Sequence, residues 1–156
     1  MPAGAGPIRA RFAMVPTTIV LDTNVLLDLW VFDDPGVASL RATLASGACV
    51  ALRSRATDAE LADVLARAQF DLSVARQRAL LAGWNETARP VERVFPAPWQ
   101  CADPHDQPFL DLAFTARAQW LLTKDKALLR LARKAKSTGL LILAPARFVD
   151  RAAASG

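Results

Sequence analysis

Apolar and polar residues along this chain follow two periods that take turns. Ile19, Val20 and Leu21 form a β-prone apolar triplet that stops at Asp22; beyond Thr23 and Asn24, apolar residues resume at Val25, Leu26, Leu27, Leu29 and Trp30 with looser spacing. This predicts a buried strand whose carboxyl end presents Asp22, followed at once by a helix. Val37, Leu40 and Leu44 recur at helical spacing within 36–46, Gly47 supplies a stop, and 48–52 reads as a second short buried strand. From Thr57 another helix is expected, with Leu61, Val64, Leu65 and Ala68 as its apolar stripe.

Residues 72–88 predict a further amphipathic helix through Leu72, Ala75, Ala79 and Trp84, with Arg76 and Arg78 exposed. Prolines at 90, 96 and 98 make 89–100 an extended connection. Asp103 followed by Pro104 reads as cap and first position of the next helix, which puts Asp106 in the first turn on the side of Phe109, Leu110 and Ala113. Residues 119–123 predict a third strand ending near Asp125, and 139–143 a fourth, stopped by Pro145, with Arg147, Phe148 and Val149 beginning a closing helix. Crossovers too long for hairpins imply an α/β fold, a mainly parallel sheet with helices on both faces.

Composition narrows this picture. The chain has 156 residues, 53% of them hydrophobic, and fits one domain. Its mean hydropathy is +0.20, yet charge breaks every apolar run well short of a membrane span, which excludes a transmembrane protein. Residues 1–17 are assigned to a flexible leader, 18–150 to the domain and 151–156 to a tail. Cys49 and Cys101 stand apart with no motif around either, which suits buried thiols in a reduced cytoplasm. The net charge is +4. Lys124, Lys126, Arg130, Arg133, Lys134 and Lys136 fall in one stretch against a single acid, Asp125. Such a basic helix beside a carboxylate suits either a phosphate backbone or a solvated face whose cations favour the helix carboxyl end.

Asp22 and Asp125 end strands, while Glu60 and Asp106 open helices. In a parallel sheet all four positions lie on one edge. Capping accounts for each acid singly: Asp is favoured at helix starts, and Thr57 with Glu60 has the spacing of a capping box. It does not account for four acids converging, because close carboxylates repel and raise one another's pKa unless a cation neutralises them. Oxygen ligands with no His or Cys cluster suit Mg²⁺ or Mn²⁺ rather than zinc. The chemistry this invites is metal-assisted phosphoryl transfer to water.

Val20 to Leu26 with its Asp22, Thr23 and Asn24, Glu60 to Leu65, Asp103 to Asp106 with Phe109 to Ala113, and Trp120 to Asp125 together resemble the PIN-domain ribonucleases, in particular the bacterial branch described as toxins of toxin-antitoxin systems. The likeness runs over 18–149 in order and spacing. It implies a three-layer α/β/α sandwich with a mainly parallel sheet of four to five strands. It also implies Mg²⁺ or Mn²⁺ held by Asp22, Glu60, Asp106 and Asp125, and cleavage of single-stranded RNA in the cytoplasm. By the same matching Asn24 orients Asp22, Thr123 is a polar neighbour, and Lys124, Lys126 and Arg130 face the RNA. A homodimer and an inhibitory antitoxin partner follow from the resemblance alone.

Other positions are less tied to that pattern. Asp103 is either the helix cap or an acid behind the metal ligands, and Asp111 lies on a different helix face as a further candidate. Asp28, Asp33 and Asp34 read as exposed charges, and the lone His105 as a surface residue. Trp99, between Pro98 and Gln100, is placed to stack on a base. Two rivals share the fold: a binding module that keeps the acids without turnover, and a structure-specific DNA nuclease. A haloacid-dehalogenase phosphatase needs a second Asp where this chain has Asn24.

Overall fold

A computed structural model describes residues 16–148. Five parallel strands make one sheet: β1 (Thr17–Leu21), β2 (Cys49–Arg53), β3 (Arg89–Pro90), β4 (Trp120–Leu122) and β5 (Leu141–Leu143), in the spatial order β3-β2-β1-β4-β5. The chain builds outward from β1 to β2 and β3, then returns to the other side of β1 for β4 and β5. The strand order therefore reverses between β1 and β4, and in open parallel sheets the crevice at that reversal is where ligands bind.

Period-two alternation explains the layers. Ile19, Leu21, Cys49, Ala51, Leu122 and Leu143 join the core on one face, packed by α1 (Thr23–Trp30), α2 (Ala38–Ser46), α3 (Arg55–Leu65) and α4 (Val74–Thr87). Val20, Leu52, Leu121 and Ile142 point to the other face, where α5 (Gln107–Thr115), α6 (Lys126–Leu129) and α7 (Ala132–Lys136) cover them. Apolar residues on both sides of a strand are what a sheet buried on both faces requires. The result is an α/β/α sandwich. Among the described residues no helix is long and apolar enough to cross a membrane.

Several elements differ from expectation, each for a local reason. Thr17, assigned to the leader, already pairs with Cys49 in β1; the rest of the leader up to residue 15, Val149 and the tail lie outside the described residues. The segment from Pro35 to Val37 is a 3-10 turn ahead of α2, and Gly47 ends that helix at φ +81°, where a Cβ would strain the backbone. Two residues of the expected connection form β3, a short edge strand, which is where a proline is tolerated. In α4 the buried positions are Leu80 and Trp84, whereas Ala75 and Ala79 are exposed. The basic stretch is two short helices rather than one, broken at Arg130 and Leu131.

Helix α3 begins two residues early, and this matters for the site. Its capping box joins Ser54 to Thr57: the Ser54 Oγ accepts from the Thr57 amide at 3.2 Å, and the Thr57 Oγ1 accepts from the Ser54 amide at 2.9 Å. Glu60 is thus not spent on the cap that the Thr57 spacing suggested. Ser54→Ala is expected to lower the unfolding free energy in urea by about 1 kcal/mol, while Glu60→Gln shifts it by less than about 0.5 kcal/mol.

Candidate metal centre

The sheet ladder continues past the formal strand ends at the reversal point. The Asp22 amide donates to the Leu122 carbonyl and the Thr123 amide to the Leu143 carbonyl, which brings Asp22 and Thr123 side by side at the edge. Asp22 is buried to 2% exposure and both its oxygens are engaged. Its Oδ1 accepts from the Val25 amide at 2.9 Å, and its Oδ2 accepts from the Thr123 hydroxyl, itself fully buried. Helix capping and site geometry are therefore served by different oxygens of one carboxylate. Asn24, expected to orient Asp22, is exposed and makes no side-chain hydrogen bond among the described residues; the Thr123 hydroxyl and the Val25 amide do the orienting.

Asp125 follows the same grammar one strand over. Its Oδ1 caps α6 by accepting from the Ala127 amide at 2.8 Å, and its own amide donates to the Thr123 Oγ1 at 2.9 Å. Thr123 thereby fixes both acids at once.

Asp106 arrives from the opposite direction. The expected helix start at Asp103 and Pro104 is instead a turn: the Asp103 Oδ1 accepts from the His105 amide at 2.9 Å, its carbonyl accepts from the Asp106 amide at 3.1 Å, and α5 begins at Gln107. Asp106 occupies the cap position without a side-chain capping bond, and its Oδ2 is buried with no hydrogen-bond partner. Carboxylate oxygens of Asp103, Asp106 and Asp125 lie within 4.8 Å of one another. Three acids with an orphaned buried oxygen among them fit a hard divalent cation, which takes carboxylate oxygens and keeps water on its remaining positions. Of the two roles open to Asp103, the fold excludes the cap of α5, whose cap position is Asp106.

Glu60 stands apart from this trio. Its Oε2 lies 3.4 Å from the His105 Nδ1, so it reaches the loop that carries Asp103 and Asp106 through the imidazole. Asp111 is further removed: its Oδ1 accepts from the Ala97 amide and the Gln107 Nε2, both at 2.8 Å, which ties the proline-rich connection to α5. Asp28 is not an exposed charge. It is buried to 6% exposure and pairs with the Lys124 Nζ, while Asp33 pairs with Arg41 and Asp34 caps the 3-10 turn.

Residues 18–127 match the model of the PIN domain. The chain belongs to the PIN-domain family. No curated protein matches it. PIN domains are generally metal-dependent nucleases, and this PIN domain has the nuclease fold with an acid cluster at its carboxyl edge that could hold a metal ion.

Electrostatics at the cluster follow from crowding. Burial first, then a proton shared with the neighbouring Asp125 carboxyl, and then the charges of Asp125, Asp103 and Asp22 push the Asp106 carboxyl up to about 8. Burial also raises Asp22, against the lowering effect of the Thr123 hydroxyl and the Val25 amide. Both groups hold protons more tightly folded than unfolded. The folded state therefore binds more protons from the ordinary carboxylate value of 3.8 up to about 8, and stability falls as pH rises across that window. Thermal melts of the metal-free protein should show Tm declining over this range, Asp106→Asn should flatten the decline, and saturating Mg²⁺ should oppose it by replacing the proton. A slope unchanged in the Asp106→Asn variant would contradict this assignment.

Proposed function

We propose that this PIN domain is a metal-dependent endoribonuclease that hydrolyses phosphodiester bonds of single-stranded RNA, and that it acts in the cytoplasm as the toxin of a toxin-antitoxin pair. The observation that carries the reading is the buried, unpartnered Oδ2 of Asp106 beside two further carboxylates. In it Asp103, Asp106 and Asp125 hold Mg²⁺ or Mn²⁺, with Asp22 held next to Asp125 by the shared Thr123 hydroxyl. A divalent ion bound there supplies activation of water and charge stabilisation of the leaving oxygen.

The chain's own residues do the rest. Thr123 keeps Asp22 and Asp125 in register, so neither carboxylate has to reorganise when substrate arrives. Glu60 and His105 form the rim on the α3 side. Lys126 and Arg130 follow β4 at the same edge and supply positive charge for a phosphate backbone, to which Lys124, already paired with Asp28, adds less. The two free, buried cysteines suit a reduced compartment. A homodimer and an antitoxin complete the proposal through the family resemblance.

Asp22→Asn, Asp106→Asn and Asp125→Asn are each expected to lower cleavage of single-stranded RNA by roughly a hundredfold or more while leaving the far-ultraviolet circular dichroism intact. EDTA should abolish cleavage, and Mg²⁺ or Mn²⁺ should restore it. RNA and DNA strands of matched sequence, assayed side by side, separate a ribonuclease from a DNA nuclease. Absence of cleavage of either under both metals, with the fold intact, favours a binding module.

A further inference from the structure

A concavity opens beside the turn that carries Asp103 and Asp106. It has a volume of about 550 Å³ and is walled by Pro96, Pro98, Trp99, Cys101, Pro104 and Gln107. Pro104 directly follows Asp103 and Gln107 directly follows Asp106, so two walls of the cleft belong to the turn that carries two of the three acids. The cleft and the acid cluster thus share a border along that turn.

Charge sets the two apart. No Lys, Arg or His lines the cleft, and its one acid, Asp111, spends Oδ1 on the Ala97 amide and the Gln107 side chain. A phosphate finds nothing there, whereas an uncharged flat ring finds an indole and three prolines. The wall is also held in shape. The Gln107 Oε1 accepts from the Cys101 amide at 2.6 Å, and its Nε2 donates to the Trp99 carbonyl at 3.1 Å and to Asp111 at 2.8 Å. The half-buried Trp99 is set edge-on against Phe114, with ring centroids 5.5 Å apart and planes at 85°.

We propose that this cleft is a nucleobase subsite, in which a base flanking the scissile phosphate stacks on Trp99 while the acid cluster takes the phosphate through its metal. The proposal rests on the nuclease reading above for its phosphate. Gln107 and Asp111 are then positioning residues for the platform, which gives Asp111 a role away from the metal.

The test needs no mutation at first. Single-stranded RNA oligonucleotides carrying one abasic ribose at each successive position are compared with the intact strand, by cleavage under Mg²⁺ and by fluorescence anisotropy with the Asp22→Asn variant. Loss of one particular base beside the cleavage point is expected to weaken binding about tenfold, and to raise KM with little change in kcat. Trp99→Ala should impose a similar loss on intact RNA and add nothing to the abasic strand, while Trp99→Phe retains most of the affinity. Abasic positions that all bind like the intact strand, or abasic and Trp99→Ala losses that simply multiply, overturn the subsite. Cleavage without an abasic penalty removes the subsite and leaves the nuclease reading standing. An abasic penalty in binding without any cleavage does the reverse.

Discussion

The Thr123 hydroxyl, buried between two strands that end together, is the contact on which this molecule's chemistry turns. It donates to the Asp22 carboxylate at the end of β1 and accepts from the Asp125 amide at the end of β4. Those strands are neighbours because the chain reverses its building direction there. Without that reversal the two acids would sit on separated strands, and no side chain as short as threonine could span them. The parallel sheet supplies the edge, its switch point supplies the crevice, and one hydroxyl fixes the orientation of the acids within it.

Against this fixed pair stands Asp106, delivered by a loop and left without a partner. The energetics favour a cation: three carboxylates crowded in a half-buried site push the least solvated of them toward its protonated form, and an ion relieves the same repulsion while leaving all of them charged. The loop positions that make this possible are ordinary turn chemistry. Asp103 folds back on the His105 amide, and α5 starts late enough that Asp106 keeps its oxygens free.

Most of this architecture is legible in the chain because short apolar runs mark the buried strands β1, β2, β4 and β5, and two of them, β1 and β4, lead into a carboxylate, Asp22 and Asp125. β3 is not, since two residues that include a proline give no period to detect. Helix starts were read from the most familiar spacing, which chose Thr57 and Asp103; the fold instead used Ser54 for α3 and an uncapped Asp106 for α5. At Thr57 the familiar spacing lends Glu60 a capping role that the fold gives to Ser54 and Thr57, and at Asp103 it leaves an acid whose oxygens lie with those of Asp106 and Asp125 open to a cap reading. Asp28 was invisible for another reason: its partner, Lys124, lies almost a hundred residues away, and only tertiary structure pairs them.

That pairing, in which only Asp28 is buried, alters how the basic stretch meets a polyanion. Lys124 already has its counter-charge in Asp28, which is shielded from solvent, so it carries little of the condensed ion atmosphere that a free surface lysine would exchange with a nucleic acid. The entropy gained by releasing small ions would come instead from Lys126, Arg130 and the residues of α7. Association would depend on ionic strength less steeply than a count of positive residues between 124 and 136 suggests, leaving shape and stacking a larger share of the recognition.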